Sequence, residues 1–140
     1  MSRPTWDEYY LGIADAVAAR GDCVRAQHGA VIVKNNKIVS TGYNGTPPGD
    51  HRSCGSTGQC PRALDANARH SEGTYDNCWA THAESNALLR ASWEELQGSI
   101  VYITGQPCPG CMKLLESANV MLIVWRNSSG IHRYALTLPA

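Results

Sequence analysis

The sequence predicts an α/β fold, a three-layer α/β/α sandwich around a central mixed sheet of about five strands. Three observations predict it. Segments of helical and strand periodicity alternate in the order α-β-β-α-β-α-β, with a candidate terminal strand after them. The run "VMLIVW" at Val120–Trp125 is apolar throughout, which marks a strand covered on both faces. A chain of 140 residues, 43% of them apolar, suits one core and leaves little room for a second.

Each element has its own signal. Thr5 followed by Glu8 is a capping-box pattern, and Trp6, Tyr9, Tyr10, Ile13 and Val17 recur at helical spacing, so a helix runs from Thr5 to about Arg20. "GAVIVKNNKIVSTGY" holds two β-rich runs, Ala30–Val33 and Lys37–Thr41, around an Asn-Asn turn, which is a hairpin. "ATHAESNALLRAS" is rich in helix formers, "SIVYIT" is strand-like, "PGCMKLLESAN" is a short helix opening at Pro109, and "IHRYALTL" is the candidate last strand. Between the hairpin and the second helix, Gly42 to Asn77 is rich in Gly, Pro, Ser, Asp and Asn, with little periodicity. A segment that long and irregular is expected to be functional or tied down. The chain therefore reads as one domain over 1–140 with an irregular insertion around 43–79, and no internal repeat or linker divides it.

Twelve basic residues balance twelve acidic ones, so bulk charge gives no reason to expect a nucleic-acid or membrane partner. The start lacks a charged stretch followed by a long apolar one, and the expectation is a cytoplasmic protein without a signal peptide. Six cysteines in a reducing compartment point to metal or catalysis more than to disulfides.

"THAES" places His82 and Glu84 at a helix start, and "QPCPGC" places Cys108 and Cys111 at another. A C-x-x-C pair alone also fits redox dithiols and half-sites of structural zinc. Joined to H-x-E upstream, with Pro107 before the first cysteine, it has the pattern of zinc-dependent nucleobase deaminases. The chemistry explains the spacing. His82, Cys108 and Cys111 as three ligands leave zinc a fourth tetrahedral position for water. Helix N-termini favour the thiolates. Two thiolates make zinc a weaker Lewis acid, so a base is needed, and Glu84 is placed to reach the water without ligating the metal. It is the expected proton shuttle, from water to the pyrimidine N3, with attack at C4 and release of ammonia. The competing reading makes the three ligands part of a closed structural site and Glu84 a helix-capping carboxylate.

On these blocks the chain resembles the cytidine deaminase superfamily, and within it the dCMP deaminase branch. "HGAVIVKNNKIVSTGYNGTPPG", "THAESNALL" and "VYITGQPCPGCMKLL" carry the resemblance, which covers most of the chain. "GYNGTPPG" is its most discriminating element. The resemblance implies a cytidine-deaminase-like fold, zinc-dependent hydrolysis of dCMP to dUMP for thymidylate synthesis, and homo-oligomers, commonly hexamers. It also implies that Asn44 hydrogen-bonds the deoxyribose and that the Gly45–Gly49 turn, with Gly45 and Thr46, forms a nucleotide-binding loop. Ala83 in the H-A-E block joins the substrate-binding set. Arg25 and Arg126 are candidates for phosphate recognition, each equally readable as a solvated surface arginine. Lys34, Lys37 and Lys113 read as solvated.

Two positions depart from the branch. His28 stands where an apolar residue is usual before Gly-Ala-Val, and Trp93 falls near positions that bind triphosphate effectors in regulated members. The second weighs against feedback by dCTP and dTTP. The sequence also stops where longer members continue into a final helix.

Four cysteines remain outside the triad. Several members of the branch carry a second, structural zinc, and by resemblance its ligands here are Cys23, Cys54, His70 and Cys78, with Cys60 as an alternative to His70. A closed four-ligand site would offset the ordering entropy of the irregular segment. Free thiols and a flexible loop are the other reading. The rival functions are a deaminase of 5-substituted dCMP or of another free cytosine nucleotide. A tRNA or DNA editing deaminase fits the neutral charge less well, and a non-catalytic zinc module fits an intact Glu84 less well.

Overall fold

The computed structural model describes residues 2–23, 25–49, 53, 60–65 and 78–136. Helix α1 (Trp6–Ala18) begins at Thr5, whose Oγ1 accepts the Glu8 N–H at 3.2 Å while Glu8 Oε1 accepts the Thr5 N–H at 2.9 Å. Both bonds satisfy donors that a helix start otherwise leaves to water. Thr5→Ala is expected to lower unfolding free energy by about 1 kcal/mol. An unchanged urea midpoint would show that the cap contributes nothing.

Strands β1 (Gly29–Lys34) and β2 (Lys37–Tyr43) form the hairpin, turned by Asn35 and Asn36 at φ of 52° and 60°. Asparagine tolerates this left-handed conformation, which matches the twist of the flanking strands. The Tyr10 hydroxyl donates to Asn36 Oδ1 at 2.8 Å and pins the turn to α1. A short helix α2 (Pro61–Leu64) follows, then α3 (Ala83–Leu89), α4 (Trp93–Leu96), β3 (Ile100–Ile103), α5 (Pro109–Ser117), β4 (Leu122–Asn127) and β5 (Gly130–Ala135).

Two details differ from the sequence expectation. The helix-forming stretch after Thr81 gives α3 only as far as Leu89, and an additional helix, α4, follows it, because Ser92 and Glu95 make a second capping box that opens a new helix. The apolar run at Val120 enters the sheet only at Leu122. Val120 and Met121 instead give their N–H groups to the carbonyls of Leu115 and Ser99, after Asn119 reverses the chain at φ 62°.

Among the described residues the sheet has five strands in the order β2-β1-β3-β4-β5. Only β3 and β4 run parallel; β1 is antiparallel to β2 and β3, and β5 is antiparallel to β4. Side chains alternate across it. Val31, Val33, Tyr102 and Val124 pack with Tyr10, Leu11 and Ala14 of α1. Ala30, Ile32, Val101, Ile103 and Ile123 pack on the other face with Ala83 and Ala87 of α3 and Leu115 of α5. Helices thus cover both faces, as the sandwich requires.

This topology brings four chain segments to one end of the sheet. The register pairs Ala30 with Ile103 and Gly29 with Tyr43, so the entry to β1, the exit of β2 and the exit of β3 lie together. Helices α3 and α5 start there too, tied in by the bridge between Gly45 and Thr81.

Candidate active site

At that end lies a cavity of about 440 Å³, within the range of small-molecule sites. Its wall includes His28, Asn44, His82, Ala83, Glu84 and Cys108.

His82 is the N-cap residue of α3 and Cys108 that of α5; Cys111 stands in the first turn of α5. The cap positions place side chains beyond the helix ends, and Pro109 at the first turn of α5 needs no N–H partner there. His82 Nδ1 lies 3.3 Å from Cys111 Sγ and 3.5 Å from Cys108 Sγ. Ligand atoms on a tetrahedral zinc, with Zn–S near 2.3 Å and Zn–N near 2.0 Å, stand about 3.6 Å apart. Among the described residues this is the group of His, Cys, Asp and Glu whose donor atoms lie within 4.8 Å of one another.

The donor chemistry agrees with the spacing. A hydrogen bond from Cys111 holds the Cys108 thiol down to about 3, with His82 contributing. The same bond and burial push Cys111 upward, and the bond to Cys108 raises His82. Protons here hold together a group that is built to carry negative charge, and a divalent soft cation can take their place. Ser85 Oγ stands 3.8 Å from Cys111 Sγ as an outer partner.

Glu84 is only 6% exposed, and burial raises its carboxyl above the ordinary range. It is the one carboxylate on the cavity wall among the described residues. A buried carboxyl with a raised pKa, beside three metal-ligand atoms, suits proton transfer.

Asn44 is buried and committed to the main chain on both sides. Its Oδ1 accepts the His28 N–H at 2.9 Å and its Nδ2 donates to the Ala26 carbonyl at 2.9 Å. These bonds orient the amide and leave one N–H and one lone pair for other partners. Gly45 spends its N–H and carbonyl on Thr81, and neither it nor the half-buried Thr46 is among the described residues of the cavity wall.

His28 lies on the wall with Nδ1 3.3 Å from Thr104 Oγ1, its ring against Gly105. The Thr104 hydroxyl also accepts the Gly29 N–H at 3.2 Å. Trp93 is exposed, outside the cavity wall, at the first turn of α4.

The two phosphate candidates part company. Arg25 lines the cavity. Arg126 does not: it pairs with Asp15 of α1 on the opposite face of the sheet. Strand parity decides this, because Arg126 shares the side of β4 on which Val124 packs against α1.

Of the second metal set, Cys54 and His70 lie outside the described residues. Cys23 and Cys78 line the cavity, and so does Cys60, at 1% exposure. Burial pushes the Cys78 thiol up to about 11, with Cys60 and Cys23 adding to the shift as neighbours. These three thiols are spread more widely than the His82 group. Arg62, which follows Cys60 on α2, also lines the cavity. Its residue type gave no warning, but its pattern did: Cys-x-Arg occurs at Cys23–Arg25 and again at Cys60–Arg62.

Residues 4–126 match the description "Cytidine and deoxycytidylate deaminase zinc-binding region". The chain is 42% identical over 133 residues to the deoxycytidylate deaminase of Mycobacterium phage D29, covering 92% of this chain and 100% of that one. It is 34% identical to the deoxycytidylate deaminase of Schizosaccharomyces pombe, across 97% of this chain but 41% of the yeast protein. Among solved structures, the dCMP deaminase of cyanophage S-TIM5 in complex with dCMP and dUMP is similar at a TM-score of 0.65 and 29% identity, over 91% of this chain and 85% of that one. No described helix is long and apolar enough to cross a membrane.

Proposed function

The chain belongs to the cytidine and deoxycytidylate deaminase family, and we propose that it hydrolyses dCMP to dUMP and ammonia, a source of dUMP for thymidylate synthesis. The observation that carries this reading is Glu84, buried on the cavity wall beside His82, Cys108 and Cys111. The similarity of 92% of the chain to a deoxycytidylate deaminase that it covers completely supports the choice of nucleotide.

His82, Cys108 and Cys111 would hold one zinc ion. Zinc bound there would supply Lewis-acid activation of the attacking water. Glu84 takes the proton of that water and delivers it to N3 of the cytosine ring, which makes C4 electrophilic. It then carries a second proton to the departing amino group, so that ammonia leaves. Buried Ala83 and Ile103 line the cavity with Glu84 and present apolar surface there. Asn44, fixed by the backbone of Ala26 and His28, offers its remaining donor and acceptor to a sugar hydroxyl.

The direct test compares ammonia release from dCMP, CMP, deoxycytidine, dCTP and 5-substituted dCMP. The expected result is a clear preference for dCMP. Deoxycytidine turned over as efficiently as dCMP would overturn the nucleotide assignment.

A second, structural zinc belongs to the same reading, with Cys23, Cys54 and Cys78 in its ligand set and His70 or Cys60 completing it. The meeting of three thiols from separate segments supports it. Metal analysis of the purified protein should then give about two zinc ions per chain. One ion per chain, with the surplus thiols freely titratable, would exclude the second site. A homo-oligomeric, cytoplasmic enzyme completes the proposal. Leu89 at 78% exposure and Trp93 at 56% are apolar surface suited to subunit contact, and sedimentation tests it.

A further inference from the structure

Asn44 and the metal-ligand group stand on different chain segments. A nucleoside fixes the span between its sugar hydroxyl and C4 through the base, the glycosidic bond and the sugar ring. A site that grips the hydroxyl from one segment and activates C4 from another must hold that span to about 0.5 Å. Among the described residues there is a direct tie between the two segments, and no step of the hydrolysis uses it.

The tie runs through His28. Its main chain holds Asn44: the His28 N–H donates to Asn44 Oδ1 at 2.9 Å, and the His28 carbonyl accepts the Asn44 N–H at 3.3 Å. Its side chain reaches the other way, with Nδ1 3.3 Å from Thr104 Oγ1. Thr104 follows β3 and precedes Cys108, the N-cap residue of α5, by four positions. The same hydroxyl accepts the Gly29 N–H at 3.2 Å, and the Thr104 N–H donates to the Gly29 carbonyl at 3.1 Å. The imidazole is seated on Gly105, where an added Cβ would stand 3.4 Å from Cε1 and 3.6 Å from Nδ1.

Apolar burial does not anchor the segment that holds Asn44. Ala26 and Gln27 are exposed, and His28 is half-buried. Side chains anchor it instead: Gln27 Nε2 donates to the Ala19 and Gly21 carbonyls at the end of α1, and His28 meets Thr104. Of these two anchors, the one at Thr104 lies on the segment that leads to a metal ligand. Asn44, His28 and Gly105 all line the cavity, so the tie crosses its wall.

We propose that the contact of His28 Nδ1 with the Thr104 hydroxyl is a positioning bridge, which fixes the Asn44 amide relative to the Cys108 segment and so sets how well the site reads the sugar hydroxyl. This rests on the reading of the protein as a dCMP deaminase with Asn44 on the sugar. His28 and Thr104 are positioning residues, which act through Asn44.

The test compares kcat/KM for dCMP with that for its 2′,3′-dideoxy analogue, which lacks the one free sugar hydroxyl of dCMP. The full-length, metal-loaded protein is measured beside His28→Val, Thr104→Val and His28→Asn. The wild type should prefer dCMP, and both valine variants should lower that preference about three- to tenfold, the loss of one neutral hydrogen bond. General loosening of the fold lowers turnover of both substrates alike and leaves the ratio. His28→Asn keeps a polar atom near the place of Nδ1 and should restore the preference to within about twofold of wild type. An unchanged ratio in folded His28→Val overturns the bridge and leaves the deaminase assignment standing. A fall in His28→Val without one in Thr104→Val overturns it too, because the ring then acts without the hydroxyl. If His28→Val does not fold, Thr104→Val decides by the same ratio. Equal turnover of the two substrates by wild type removes Asn44 from the sugar, and no ammonia from dCMP removes the deaminase assignment. Hydrogen exchange then decides the bridge: the His28 amide should exchange at least about threefold faster in Thr104→Val, and equal exchange rejects it.

Discussion

Glu84→Gln is expected to abolish turnover to within about a ten-thousandth of the wild-type rate, or a hundredth at the least, while zinc content and fold persist. The change is nearly isosteric, so the packing of Glu84 at the start of α3 is kept. What disappears is the only cavity-wall group among the described residues that is both a carboxylate and close to the metal ligands. An amide can still donate and accept hydrogen bonds, but it cannot take a proton from water and return it to the base.

Stability separates this catalytic role from a structural one. Burial raises the folded-state pKa of Glu84 above its unfolded value. In the metal-free protein the folded state therefore holds this proton more tightly, and stability falls as pH rises through and above the unfolded carboxyl pKa. Glutamine has no such cost. Metal-free Glu84→Gln should melt no lower than wild type at pH 7, and the advantage should vanish at pH values below the unfolded pKa. A capping carboxylate would show the reverse, a variant less stable at neutral pH. Turnover within threefold of wild type would remove Glu84 from the mechanism altogether.

Gly42→Ala is expected to cost about 1–3 kcal/mol of stability and most of the activity with it. A Cβ at Gly42 would stand 2.4 Å from the Ala87 backbone nitrogen and 2.5 Å from the Ala83 carbonyl oxygen. Neither atom can swing aside, so α3 itself must lift from β2. His82 caps that helix and Glu84 lies in its first turn, so any such shift moves the proposed metal ligand and the proposed proton carrier together. Displacements near 1 Å at reacting groups commonly cost about a hundredfold in rate. Gly12→Ala is the matched control. It lies on the exposed side of α1 with nothing within 4 Å of the new methyl, and should stabilise by about 0.5–1 kcal/mol through helix propensity. If Gly42→Ala melts and turns over like wild type, the close approach of α3 to the sheet is not what holds the site.

The sequence by itself determined most of the elements and the grouping of His82, Glu84, Cys108 and Cys111. The Thr5 box, the Asn-Asn turn and the alternating strands act over a few residues, and local backbone preference is enough to place them. His82, Glu84, Cys108 and Cys111 were legible for the same reason. Two helix N-termini present them, and helix geometry turns sequence spacing directly into direction in space.

The tertiary structure decided everything that depends on which face or which segment a residue meets. Arg25 and Arg126 read alike in one dimension, yet strand parity sends Arg126 to Asp15 across the sheet while Arg25 stays on the cavity wall. Asn44 was expected to turn its amide to a ligand, and half of that amide holds the backbone of Ala26 and His28 in place. Cys60, an alternative ligand in the sequence, and Arg62, marked there only by the repeated Cys-x-Arg pattern, take places on the cavity wall with Cys23 and Cys78, residues far away along the chain. Spacing carries no information about such meetings, because they arise from burial of surface shared between distant segments and not from the conformation of any one of them.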